Sequence, residues 1–67
     1  MFYVKVLKDN KTLLHKSEKV DTIDKARDIM ENFIRRANNY TDIKMLGNER
    51  VKIEKYNYDL FLEIVEE

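Results

Sequence analysis

One stretch of this 67-residue chain has the apolar spacing of a long amphipathic helix. Asp21 and Thr22 are residue types that begin helices, and Asn38-Asn39 is a plausible end because asparagine tolerates the left-handed conformation. Between them, apolar residues recur at intervals of three and four and form one wide stripe: Ile23, Ala26, Ile29, Met30, Phe33, Ile34 and Ala37. The sequence therefore predicts a single helix over residues 22–37.

The first 17 residues predict a β-hairpin. Residues 1–8 are rich in β-branched and aromatic side chains, and Asp9-Asn10 suits a two-residue turn because both residues tolerate positive φ. Placing Lys8 opposite Lys11 gives a register with one mainly apolar face. Its cross-strand pairs are Val6 with Leu13, Val4 with His15 and Phe2 with Ser17.

The last third predicts a second hairpin with its turn at Asn57-Tyr58. One register brings apolar residues together on one face and opposite charges together on the other. Its pairs are Ile53 with Leu62, Val51 with Ile64 and Lys52 with Glu63. A competing interpretation makes residues 60–67 a short helix that begins at Asp59. The alternation of Leu60, Leu62 and Ile64 favours the strand.

Residues 41–46 are a further candidate strand. A three-residue loop over residues 47–49 would pair Met45 with Val51 and Ile43 with Ile53. Gly47 suits the left-handed position that such loops need.

These elements predict an α+β fold in one domain, residues 1–67. We expect an antiparallel sheet of four to five strands with one helix packed on one face, in the order β-β-α-(β)-β-β. The residues expected to face the helix are Phe2, Val4, Val6, Leu13, Val51, Ile53, Leu60, Leu62 and Ile64. Since no second helix is available, the other face of the sheet should stay uncovered.

The composition argues against several classes of protein. Thirteen basic and thirteen acidic residues give no net charge, which disfavours a strongly basic nucleic-acid binder. Cysteine is absent, so thiolate metal sites and cysteine nucleophiles are excluded. Neither a membrane-spanning run nor a signal peptide is recognisable, and we expect a cytoplasmic protein without membrane association.

The residues that could carry chemistry also suit structural roles. His15 is the only histidine, and we expect it to be a partly buried strand residue beside Val4. Gly47 is the only glycine, which excludes a phosphate-binding glycine loop. Asp21, Asp24 and Asp28 suit the start of a helix better than a metal site. We therefore expect a non-enzymatic protein that holds no metal or cofactor.

The leading hypothesis is a protein-interaction module that binds a partner through the uncovered sheet face. A sheet face with several large apolar residues is a candidate contact surface. The expected partner-binding residues are Tyr3, Lys5, Leu14, Lys16, Lys52, Tyr56 and Phe61. The small size, and a composition rich in residues that AT-rich codons encode, suggest a phage or mobile-element inhibitor or adaptor of a host protein. Pairing with a sheet edge is a second binding mode.

Two alternatives remain open. The basic first hairpin and the helix arginines Arg27, Arg35 and Arg36 could bind nucleic acid, with an affinity that falls steeply as salt is added. Two copies could also stack their sheets face to face as a homodimer and enlarge a small core.

Overall fold

The computed structural model describes residues 1–67 and confirms the α+β fold. Five antiparallel strands form one sheet in the order β2-β1-β5-β4-β3, which places the C-terminal strand at the centre. The elements in chain order are β1 (Phe2–Lys8), β2 (Thr12–Lys16), α1 (Ile23–Arg36), β3 (Tyr40–Gly47), β4 (Arg50–Lys55) and β5 (Asp59–Glu66). The alternative of a C-terminal helix is therefore wrong.

The helix begins and ends near the predicted residues. The Thr22 side chain accepts a hydrogen bond from the Lys25 backbone N–H at 3.2 Å, which satisfies one of the free donors of the first turn. Ala37 is the C-terminal cap, and Asn39 takes the left-handed conformation with φ 55°. The helix is neither long enough nor apolar enough to cross a lipid bilayer.

The core lies between α1 and one face of the sheet. The helix contacts β1 and β5, the first and last strands in the chain. The buried residues are Val4, Val6, Ala26, Met30, Val51, Ile53, Leu60 and Leu62. The predicted inward residues Phe2 and Ile64 are half-buried and pack against this cluster. Leu13 is the exception, because half of it is exposed.

The first hairpin has the predicted turn but a different register. Asp9 and Asn10 both have positive φ, and the Lys11 N–H donates to the Lys8 carbonyl at 3.0 Å. The observed ladder pairs are Lys8 with Thr12, Leu7 with Leu13, Val6 with His15 and Lys5 with Lys16. The register shifts between Val6 and Leu7, which leaves Leu14 as the extra residue of a bulge. Every residue of β2 is exposed, so burial against α1 does not fix the register of this edge strand.

His15 and Ser17 differ from their predicted surroundings. His15 lies opposite Val6 and is exposed, so the expectation of a partly buried residue beside Val4 is wrong. Ser17 lies beside Val4 instead of Phe2. Its hydroxyl accepts the Val4 N–H and its own N–H donates to the Val4 carbonyl, each at 2.8 Å. The serine therefore extends the pairing of β1 beyond the end of β2.

The β4–β5 hairpin turns one residue earlier than predicted. The Lys55 N–H donates to the Tyr58 carbonyl at 2.9 Å, so the turn residues are Tyr56-Asn57. The register is displaced by two residues, and Val51 lies opposite Leu62. Because side chains alternate with a period of two, this displacement changes every partner but keeps each residue on its predicted face.

The predicted third strand is present, and its pairs of Met45 with Val51 and Ile43 with Ile53 are confirmed. The expected role of Gly47 is wrong, because its φ is not positive. Gly47 instead pairs with Arg50, and the register shift between Met45 and Gly47 accommodates the extra residue.

Replacing Ile53 with Ala should lower the free energy of unfolding by about 2–5 kcal/mol, because the side chain is fully buried and would leave a cavity. The matched variant Leu13→Ala should cost less than about 1 kcal/mol, since its site is half exposed. Urea unfolding followed by circular dichroism measures both. Equal losses for the two variants would contradict the observed position of β2.

Candidate functional site on the outer face of the sheet

The sheet face opposite α1 is called the outer face, and no helix lies over it. It includes alternate residues of the three central strands, all half-buried: Tyr3, Lys5 and Leu7 of β1, Phe61, Glu63 and Val65 of β5, and Arg50, Lys52 and Glu54 of β4. Lys16 of β2 lies opposite Lys5, and Lys44 of β3 lies opposite Lys52. Because no helix covers these residues, they are shielded from solvent by the long side chains of the outer face itself.

Arg50 contacts an acidic side chain, an aromatic ring and the first turn. Its Nε lies 2.9 Å from Glu63 Oε1, in an ion pair too bent for a hydrogen bond. Its guanidinium carbon lies 5.4 Å from the centre of the Phe61 ring, and Nη2 donates to Asn10 Oδ1 at 3.0 Å. Lys5 approaches the same Glu63 carboxylate at 3.4 Å. Arg50 thus connects β4 to the first turn and covers an aromatic ring.

A second ion-pair group surrounds Glu54. Its Oε2 lies 3.0 Å from Lys52 Nζ and 3.5 Å from Lys44 Nζ, and Lys52 is also 3.8 Å from Asp59. The hydrogen bond from Lys52 lowers the pKa of Glu54 below its ordinary value, and the same contact raises the pKa of Lys52. Lys52 Nζ also lies 5.9 Å from the Phe61 ring centre. The charges on this face are therefore organised around shared carboxylates.

Tyr3 provides the second aromatic ring of the outer face. Lys16 Nζ lies 5.1 Å from its ring centre, within cation–π distance. Lys16 has no acidic partner within ion-pair distance and is exposed. Tyr3 and Phe61 thus each lie beneath at least one cation, so the outer face combines large apolar side chains with charged ones.

The outer face brings together most of the predicted partner-binding residues, namely Tyr3, Lys5, Lys16, Lys52 and Phe61. Leu14 and Tyr56 lie elsewhere. Leu14 is the bulge residue of the edge strand, and Tyr56 is in the β4–β5 turn with 77% of its surface exposed. The bulge in β2 displaces Leu14, and the turn that begins one residue earlier than predicted removes Tyr56 from β4.

Arg50 is not among the predicted partner-binding residues, although its side chain contacts Glu63, Phe61 and Asn10. Alternation along β4 identifies the face on which it lies. Its contacts with Asn10 and Phe61 depend on β5 lying between β1 and β4, which no local pattern indicates.

The exposed large apolar side chains lie away from the middle of the outer face. They are Met1, Leu13, Leu14, Tyr40, Met45, Leu46 and Tyr56. All but Met1 and Tyr56 belong to the edge strands β2 and β3. Edge strands also present unpaired backbone groups, so exposed apolar residues on them favour pairing with a second copy of the chain.

Asp42 protects the edge at β3. Hydrogen bonds from Lys55 to Tyr58 and from Ile64 to Glu49 show that the odd-numbered residues of β4 bond to β5. By alternation, its even-numbered residues bond to β3, so the Ile43 N–H points to the open edge. This N–H donates to Asp42 Oδ1 at 2.8 Å. The edge therefore offers one fewer free donor to another strand.

The acidic residues near the start of α1 form local ion pairs. Asp21 lies 2.8 Å from Lys25 Nζ and Asp24 lies 3.4 Å from Arg27 Nη1. The Lys25 hydrogen bond lowers the pKa of Asp21. No group of three acidic or histidine side chains is arranged to hold a metal ion.

Comparisons of the chain with protein-family models, with curated proteins and with solved structures found no match.

The pKa of the Glu54 carboxyl should lie below its ordinary value of 4.5, because the hydrogen bond from Lys52 stabilises the ionised carboxylate. A lowered folded-state pKa contributes stability that is present above the ordinary value and lost as the pH falls through the folded value. Carboxyl-detected NMR titration measures the midpoint. In Lys52→Met it should rise towards 4.5, whereas Lys5→Met, which removes a partner of Glu63, should leave it unchanged. An unchanged midpoint in Lys52→Met would contradict the assigned cause.

Asp42→Ala should increase self-association, because it frees the Ile43 N–H on an edge with exposed apolar side chains. Sedimentation velocity over rising protein concentration measures the change. The control Asp28→Ala removes an exposed carboxylate from the helix with the same change in net charge. Equal behaviour of the two variants would show that Asp42 does not protect the edge.

Proposed function

We propose that this protein is a non-enzymatic interaction module that binds a carboxylate-bearing surface of a larger protein through its outer face. It acts by occupying that surface, as an inhibitor or an adaptor. The observation that carries the proposal is the pair of half-buried rings, Tyr3 and Phe61, beneath cations on a sheet face without a helix. Aromatic residues and arginine are the side chains that most often dominate the energy of protein interfaces.

The charge arrangement supports an acidic partner. Lys5 and Arg50 share the Glu63 carboxylate, and Lys44 and Lys52 share that of Glu54. Each ammonium has three donors and each guanidinium has five, so the shared carboxylates leave donors unused. Lys16 adds a cation with no acidic partner within 4.0 Å. Carboxylates of a partner would complete these bonds and orient the complex.

The arrangement also favours rigidity in the free protein. Arg50 is fixed by Glu63 and Asn10, and Lys52 by Glu54 and Asp59. Side chains that are already ordered lose less conformational entropy when a partner binds. This supports recognition by a preformed surface.

The test uses the protein as bait to capture its partner from a lysate of the native host. The captured complex is then chemically cross-linked. Lys16→Glu and Arg50→Glu should each weaken capture by at least about tenfold, since each places a negative charge opposite the partner's carboxylates. The matched control Lys25→Glu makes the same change in net charge at an exposed helix position. Cross-links from the native protein should involve Lys5, Lys16 or Lys52. Backbone NMR spectra verify that each variant is folded.

Three outcomes would contradict the proposal. Loss of capture in the Lys25 variant alone would place the interface on the helix side. Binding to oligonucleotides that falls steeply with salt would favour nucleic acid as the partner. A stable dimer that buries Tyr3 and Phe61 would assign the outer face to a second copy.

A further inference from the structure

A cleft of about 470 Å³ lies on the opposite side of the sheet, between the C-terminal half of α1 and the end of the β4–β5 hairpin. It forms because α1 packs on β1 and β5 and does not extend over β4. Its apolar walls are Ile29, Phe33, Ala37 and Leu60. The first three are only half-buried, so the native packing leaves part of this apolar surface uncovered.

The polar rim of the cleft carries two cations and two amides, contributed by Asn32, Arg36, Asn38 and Lys55. No carboxylate lines it. Neither Arg36 nor Lys55 has an acidic partner within 4.0 Å, whereas the neighbouring Arg35 is paired with Glu31 at 3.6 Å. Lys55 instead lies 5.9 Å from the Tyr58 ring centre. The rim is therefore cationic, and its charges are not neutralised by the protein.

The end of the helix does not cancel this positive charge. The last turn of a helix carries only about half a negative charge, whereas Arg36 and Lys55 each carry a full positive one. The amides of Asn32 and Asn38 can donate to the same anion. An anionic group at the rim would thus meet a net positive charge, together with the neutral donors of the two amides.

The size of the cleft favours a small molecule. Eight residues line it, and its volume is typical of small-ligand sites. A stable protein interface uses roughly 20 to 30 residues on each side. A small ligand with an apolar body would cover the exposed walls while its charged end reached the rim.

We infer that this cleft is a binding site for a small amphipathic carboxylate, with its apolar body against Phe33 and Leu60 and its carboxylate between Arg36 and Lys55. This site is separate from the outer face and does not depend on the function proposed for that face. The guanidinium of Arg36 supplies the paired donors that suit a carboxylate, and Lys55 adds a second charge.

The test uses phenylbutyrate as the probe and its neutral amide, phenylbutyramide, as the matched compound. Chemical-shift titration of the full chain with phenylbutyrate should give its largest shifts at Ile29, Phe33 and Leu60, which line the cleft. The amide should bind at least about tenfold more weakly, because it cannot form the charge-assisted bonds. Equal binding of the two compounds, or shifts centred on the outer face, would overturn the inference.

Four variants separate the roles of the lining residues. Arg36→Gln and Lys55→Gln should each weaken phenylbutyrate binding about threefold to tenfold, and Arg35→Gln should not change it. Asn32→Trp fills the cleft from an exposed helix position and should abolish binding without loss of folding. Retained binding in the Trp variant would overturn the site. Tighter binding of an acidic peptide than of phenylbutyrate would assign the cleft to a protein partner and overturn the small-molecule inference.

Discussion

The structure depends on one apolar layer between α1 and the two strands it covers, β1 and β5. Ala26 and Met30 of the helix are buried in the same cluster as Val4, Val6 and Leu62 of the sheet. Because the chain has a single helix, this layer can exist on only one side of the sheet. The cleft beside the helix and the ion-paired outer face are both consequences of that limit.

On the outer face, the residues of the three central strands are half-buried although no second helix covers them. Its aromatic rings, Tyr3 and Phe61, are half-buried, and each lies beneath at least one cation. Carboxylates such as Glu63, shared by Lys5 and Arg50, fix the positions of these cations. A surface of this kind limits non-specific apolar contact and still presents aromatic rings and free donors for a specific one.

Much of the fold could be predicted because periodicity is a local property. The helix stripe, the position of β3 and the face of nearly every strand residue follow from spacing alone. The registers of the β1–β2 and β4–β5 hairpins could not be predicted from spacing. The sequence carries no distinctive signal for the turn at Tyr56-Asn57 or for the bulge at Leu14. Leu14 and Tyr56 were assigned to the outer face as regular strand residues, and the bulge and the earlier turn are why that assignment was wrong.

The sequence by itself determined one helix, an antiparallel sheet and which residues face the core, because burial selects side chains by their period. Only the tertiary structure decided that β5 lies between β1 and β4. That order depends on contacts between residues far apart in the chain, which local patterns do not encode. The order brings Arg50 to Phe61 and Asn10, and Lys5 to Glu63. Folding thus brings charged residues that are far apart in the sequence close enough to share partners on the outer face.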